Sequence, residues 1–168
     1  MAAVALIGCG QKQPSDNEKY QAAKALFEST SKNLHIPSAE AKGVEKIRLQ
    51  TEAASGYQLL LKSYADQDFW AAQALRSLGN IHAAQTNLDA ALKCYFKVGR
   101  RYPNQEWEVI MAWKSAADLL WEAHRYEEAR EYYGRIVARF DTADAAQVIK
   151  TVVRGSKMRL NGELLTVR

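Results

Sequence analysis

Residues 69–103 read FWAAQALRSLGNIHAAQTNLDAALKCYFKVGRRYP, and this stretch decides the fold. Ala71, Leu75, Leu78 and His82 recur at helical spacing and share one face. A polar break at Gln85-Thr86-Asn87 follows. Asn87 is a good N-cap, and Asp89 sits in the first turn, where the helix dipole favours a negative charge. A second helix then carries Ala91, Tyr95, Val98 and Tyr102 on one face, at offsets of four, seven and eleven from the alanine. The stretch is therefore a helical hairpin with an apolar seam.

The pattern recurs outward in both directions. Ala53, Ala91 and Ala129 are spaced by 38 residues, as are Tyr57, Tyr95 and Tyr133. Leu60, Val98 and Ile136 keep the same period, and so do Tyr64, Tyr102 and Phe140. The helix before each of the last two copies also matches. Ile110, Trp113, Ala117 and Leu120 form its stripe in the later copy, and His124-Arg125-Tyr126-Glu127-Glu128 forms the turn. A fixed period of this length signals a stack of supersecondary units, none of which buries its apolar face alone.

Leu75, Leu78-Gly79, His82, Ala91, Tyr95 and Pro103 match, in order and spacing, the signature of the tetratricopeptide repeat (TPR) family. His82 stands where tyrosine is usual. The later copy matches through Trp113, Ala116-Ala117, Ala129, Tyr133 and Ile136, without the glycine and the proline. The chain resembles that family. The resemblance implies an all-α fold, a right-handed α-solenoid of about three TPR helix pairs plus a C-terminal capping helix, with residues 18–159 as the repeat domain.

The outer boundaries are read from capping chemistry. Ser15-Asp16-Asn17-Glu18 has the form of a capping box. It starts a helix expected over 18–33, followed by a long connection through Leu34-His35-Ile36-Pro37. Ser38 is expected to cap a long helix over 39–64. The closing helix is expected over 142–158, with Asp141 or Thr142 as N-cap, and 160–168 as a tail containing Asn161-Gly162.

The N-terminal segment carries a different signal. Leu6-Ile7-Gly8-Cys9 resembles the bacterial lipobox, and the polar run from Gly10 to Asn17 suits a flexible tether. No Lys or Arg precedes Lys12, and only eight residues precede Cys9, so 1–17 reads as a truncated signal with lipobox and tether. The resemblance implies lipidation of Cys9 and a membrane-anchored location in the cell envelope, facing the periplasm or otherwise extracytoplasmic. Residues 106–142 resemble periplasm-facing TPR lipoproteins in an alanine-rich helix, a Tyr-Glu-Glu-Ala turn and a Tyr-x-x-Ile-Val-x-x-Phe run. The alternative location is cytoplasmic, with Cys9 unmodified.

Composition excludes several function classes. The net charge is +4 with signs interspersed, and no basic stripe with interleaved aromatics suggests nucleic acid. His35, His82 and His124 show no metal-ligand spacing with each other or with Cys9 and Cys94. His82 reads as a satisfied core histidine and Cys94 as a small buried hydrophobe. Glu127-Glu128 and Asp141/Asp144 sit where carboxylates serve helix starts. No nucleophile, base and orienter come together, so no enzyme, no cofactor, no metal and no small-molecule substrate are expected.

In TPR proteins the first helix of each pair lines an inner groove. The matching positions are Gln73, Arg76, Ser77 and Asn80, then Met111, Lys114, Asp118 and Trp121. The resemblance implies a non-catalytic scaffold binding a protein or peptide partner there. Arg76, Asn80 and Lys114 partly resemble the carboxylate clamp of TPR co-chaperones, with Asp118 opposing it. Trp113 has core phase, Trp107 precedes the stripe, and Trp121 is off phase and suits a groove anchor. The alternatives are a soluble cytoplasmic adaptor and a substrate-recruiting subunit of an enzyme complex.

Overall fold

A computed structural model describes residues 14–162. They form a stack of helices with no strand among them. The elements are α1 (Asp16–Thr30), a π-helical turn (Ser31–His35), α2 (Ile36–Glu40), α3 (Gly43–Ser63), α4 (Asp68–Ala84), α5 (Leu88–Arg101), α6 (Glu106–Glu122), α7 (Tyr126–Phe140) and α8 (Gln147–Leu160). Each helix packs on the next in sequence. The first helices of the pairs also touch one another, α1 on α4, α4 on α6 and α6 on α8. The second helices α3, α5 and α7 make no comparable row. The tight side of the stack is therefore α1–α4–α6–α8.

Burial explains the asymmetry. Helix α4 is enclosed by α1, α3, α5 and α6, and Ala71, Ala72, Ala74, Leu75 and Leu78 are all buried. Helix α5 buries only one face, Ala91, Cys94, Tyr95 and Val98, and exposes Lys93, Phe96 and Lys97. The periodic alanines Ala53, Ala91 and Ala129 are fully buried, because a small residue lets two helices approach closely. Gly79 serves the same end. A Cβ there would stand 2.6 Å from Tyr95 Cε1, so the tyrosine ring lies directly on the glycine.

The turns repeat as well. Thr86 (φ 59°) and His124 (φ 60°) are both left-handed. Asn87 N–H donates to His82 O, and Arg125 N–H donates to Leu120 O, the long bond of a Schellman C-cap. Asn87 caps α5 as expected, its Oδ1 accepting from Ala90 N–H at 3.2 Å. The connections Tyr64–Gln67 and Tyr102–Gln105 also match, each closed by a 3.0 Å backbone bond.

Two expected boundaries are corrected. The capping box forms at Ser15 and Glu18, but the first helix does not end at residue 33. It runs on through Pro37 to Glu40. Proline removes one backbone donor and crowds the carbonyl four residues back. The π turn widens the helix just before it, with Ile36 N–H reaching Ser31 O, and accommodates the ring. Ser38 does not cap a new helix; its hydroxyl donates to His35 O at 2.6 Å within the same rod. The break falls at Ala41-Lys42, and Gly43 (φ 55°) supplies the left-handed residue there.

The closing helix begins at Gln147, not at residue 142. Neither Asp141 nor Thr142 caps it; 142–145 form a turn in which Ala145 N–H donates to Thr142 O. Helix α8 packs Val153 and Ser156 inward and exposes Lys150, Arg154 and Lys157. This polar outer face is what a terminal helix of a stack needs to remain soluble. No described helix is long and apolar enough to cross a membrane. Cys9 and residues 163–168 lie outside the described residues.

Candidate functional site

The tight side of the stack is built on three tyrosines of the second helices. Tyr57, Tyr95 and Tyr133 are buried, and each sends its hydroxyl to a polar residue of the preceding first helix. Tyr57 Oη and His35 Nδ1 are hydrogen-bonded at 2.9 Å. Tyr95 donates to Asn80 Oδ1 at 2.8 Å, and Tyr133 donates to Asp118 Oδ1 at 2.6 Å. The next first helix sets a serine beside each of the first two phenols, Ser77 near Tyr57 and Ser115 near Tyr95.

Burial pushes the Tyr95 phenol up to about 12, against a smaller opposing pull from the Arg76 charge. Tyr133 is also pushed up, first by burial and then by donating to the Asp118 carboxylate, which favours the neutral phenol. His35 is pushed down, chiefly by burial and then by the Arg76 charge, so the ring is neutral near pH 7.

The eight expected groove positions divide, and Ser77 is buried. Arg76 does not stand open: its Nε donates to Glu108 Oε2 at 2.5 Å, across from α4 to α6. The two side chains are only 22% and 7% exposed, so this is a largely buried ion pair. Asn80 is held by Tyr95, while Gln73 and Met111 are half-buried. Arg76, Asn80 and Lys114 therefore do not converge as a set; Arg76 is matched by Glu108 and Lys114 by Asp118.

Lys114, Asp118 and Trp121 do come together. With Glu122, Tyr133, Gly155, Ser156 and Arg159 they line a cleft of about 280 Å³ between α6, α7 and α8. Lys114 Nζ donates to Asp118 Oδ2 at 2.5 Å. Trp121 meets Tyr126 and Tyr133 edge-on, with centroids 4.9 and 6.3 Å away. The Arg159 guanidinium lies over the Trp121 ring, 5.1 Å from its centroid.

Sequence reasoning missed Glu108 and Arg159. Glu108 occupies a first turn, where a carboxylate reads as an exposed dipole partner, and nothing local marks its burial. Arg159 belongs to the closing helix, which falls outside the repeat pattern. The other tryptophans depart from one expectation. Trp113 is half-buried rather than core, wedged between Gly99 and Phe140 with Arg139 over its ring. Trp107 is 42% exposed, and Trp70 is buried against Tyr20, Phe27 and Phe69.

His82 packs as expected, but its buried Nδ1 has no hydrogen-bond partner, so it is not a satisfied core histidine. Cys94 is buried and unpaired, and burial raises its thiol pKa. The described residues hold no cluster of His, Cys, Asp and Glu suited to a metal ion.

A scan against protein-family models finds no match, and a search of curated proteins finds no significant relative.

Proposed function

We propose that this chain is a tetratricopeptide-type scaffold that binds a protein or peptide partner on the α1–α4–α6–α8 side and performs no catalysis. Its stack would be right-handed, as in that family. The observation that carries the reading is the cleft at α6, α7 and α8. It joins an aromatic anchor, Trp121, to polar groups that a peptide backbone or side chain can satisfy. Three of its lining residues are positions the repeat pattern assigns to the partner groove. The repeated hydrogen bonds at Tyr57, Tyr95 and Tyr133 support it, since each ties a second helix to the first helix of its own pair.

The proposal includes a lipid anchor on Cys9, resting on the lipobox-like residues and the polar run after them. The folded part then works at a membrane surface outside the cytoplasm.

The test is site-specific photo-crosslinking in cells. Benzoylphenylalanine replaces Trp121 in one variant and the exposed Phe96 of α5 in another. A discrete adduct from position 121 and none from 96 is the expected result. Equal adducts from both positions, or none from 121, overturn the groove reading. Intact mass tests the anchor: cleavage before Cys9 with added acyl mass supports it, and a free Cys9 thiol removes it.

A further inference from the structure

We infer that the cleft between α6, α7 and α8 takes the side-chain carboxylate of an acidic residue in an extended peptide, with Arg159 as the principal grip. The inference rests on the groove reading above and names the chemistry of its partner.

The argument is an accounting of donors and acceptors around the cleft. Asp118 has both carboxylate oxygens engaged, one by Tyr133 and the other by Lys114. Lys114 keeps further ammonium donors. The Arg159 side chain has five N–H donors, and it makes no ion pair or hydrogen bond with the described residues. Its guanidinium carbon lies over the Trp121 ring, 5.1 Å from the centroid, and its charge reaches the Tyr133 phenol. A guanidinium without an oxygen partner matches a carboxylate in a two-point fork, and the Trp121 ring holds it beside the cleft. Apart from Glu122, the charged groups left open in the cleft are donors, and the ligand must bring the acceptors for them.

The surroundings favour the same sign. Helix α8 contains Lys150, Arg154, Lys157 and Arg159 and no acidic residue. Lys157 is paired with Asp141, but Arg154 is exposed and adds to the positive field. Glu122 is the one lining group that opposes an anion without a partner of its own. It sets a further expectation, that removing its charge tightens binding.

The test is calorimetric titration of the full chain at low salt with a capped hexaglutamate peptide. Controls are a capped hexaglutamine peptide and a hexaglutamine peptide with a free C-terminal carboxylate. Saturable binding of hexaglutamate is expected, weakened about ten-fold or more in Arg159→Gln, as for loss of a charge-assisted pair. Arg159→Lys keeps the charge but loses the fork, so its affinity falls between the two. Glu122→Gln binds about two- to three-fold tighter, the scale of one exposed charge contact.

Equal binding of capped hexaglutamine, or unchanged affinity in Arg159→Gln, overturns the inference. Binding by the free C-terminal carboxylate alone also overturns it. If the position 121 adduct forms while hexaglutamate does not bind, the scaffold stands and the acidic preference falls. If neither occurs, both fall.

Discussion

The α4–α5 and α6–α7 pairs carry the same frame and different wiring. Ala91 and Ala129, Tyr95 and Tyr133, and Thr86 and His124 occupy matching places. Arg76 and Lys114 match too, as do Asn80 and Asp118. Yet Arg76 crosses to Glu108 on the next first helix, while Lys114 turns to Asp118 on its own helix. The position that matches Glu108 in the last unit is Ala146, which has no charge to offer. The middle pair thus uses its cation to join two helices. The last pair, followed by a cap and not by another full unit, leaves a cleft instead. The same repeat position serves cohesion inside the stack and lines an open cleft at its end.

Paired truncations test this contrast most strongly. Arg76→Ala leaves the buried Glu108 charge uncompensated, and about 3 kcal/mol of unfolding free energy is expected to be lost in urea titration. Lys114→Ala, at a site whose side chains are 43% and 36% exposed, should change it by about 0.5 kcal/mol or less. Equal losses would erase the distinction between the pairs.

A smaller effect sharpens what they share. Because the folded-state pKa of Tyr95 is raised to about 12, its contribution is fully present below the ordinary tyrosine value of about 10 and is lost as pH rises through 12. Tyr133 acts in the same direction. Urea midpoints are therefore expected to fall across that interval. Tyr95→Phe should flatten the fall while costing about 1 kcal/mol at neutral pH, since Asn80 Oδ1 loses its donor. A flat profile in the unsubstituted protein would remove the buried-phenol account.

The smallest effect concerns the turns. Thr86→Gly relieves a β-branched residue at φ 59° and should raise stability by about 0.5–1 kcal/mol, read as a higher melting temperature. His124→Gly should gain less, because His124 is not β-branched and loses both a 2.7 Å bond and an edge-on ring contact with Tyr126, whereas Thr86 loses only the bond from its hydroxyl to Gln85 O. A gain in His124→Gly equal to or above that in Thr86→Gly would show that the two turns differ in more than that bond.

The 38-residue period made the four central helices and their buried faces legible, because alanine, tyrosine and aliphatic positions respond to burial alone. The capping box at Ser15 was legible for the same local reason. The π turn was not. Pro37 reads as a helix stop, and only the packing of Leu34 and Ser38 against the core shows why the chain stays helical through it. Within the site, Trp121, Lys114 and Asp118 were legible from their phase. Arg76 was legible as a surface-facing cation but not as a buried partner, since Glu108 lies 32 residues away. Long-range charge pairing leaves no periodic trace.

The exposed cations of α8 also govern how copies of this molecule meet one another. A modular stack invites end-to-end growth into filaments, since a head-to-tail contact need not close on itself. Lys150 and Arg154 are exposed on α8, so two copies that meet α8 to α8 bring like charges together, whereas a head-to-tail contact sets them against the end that begins with α1 and its Asp16, Glu18 and Glu28. Electrostatics therefore disfavours the α8-to-α8 meeting and does not oppose the head-to-tail one, and that discrimination weakens as salt rises.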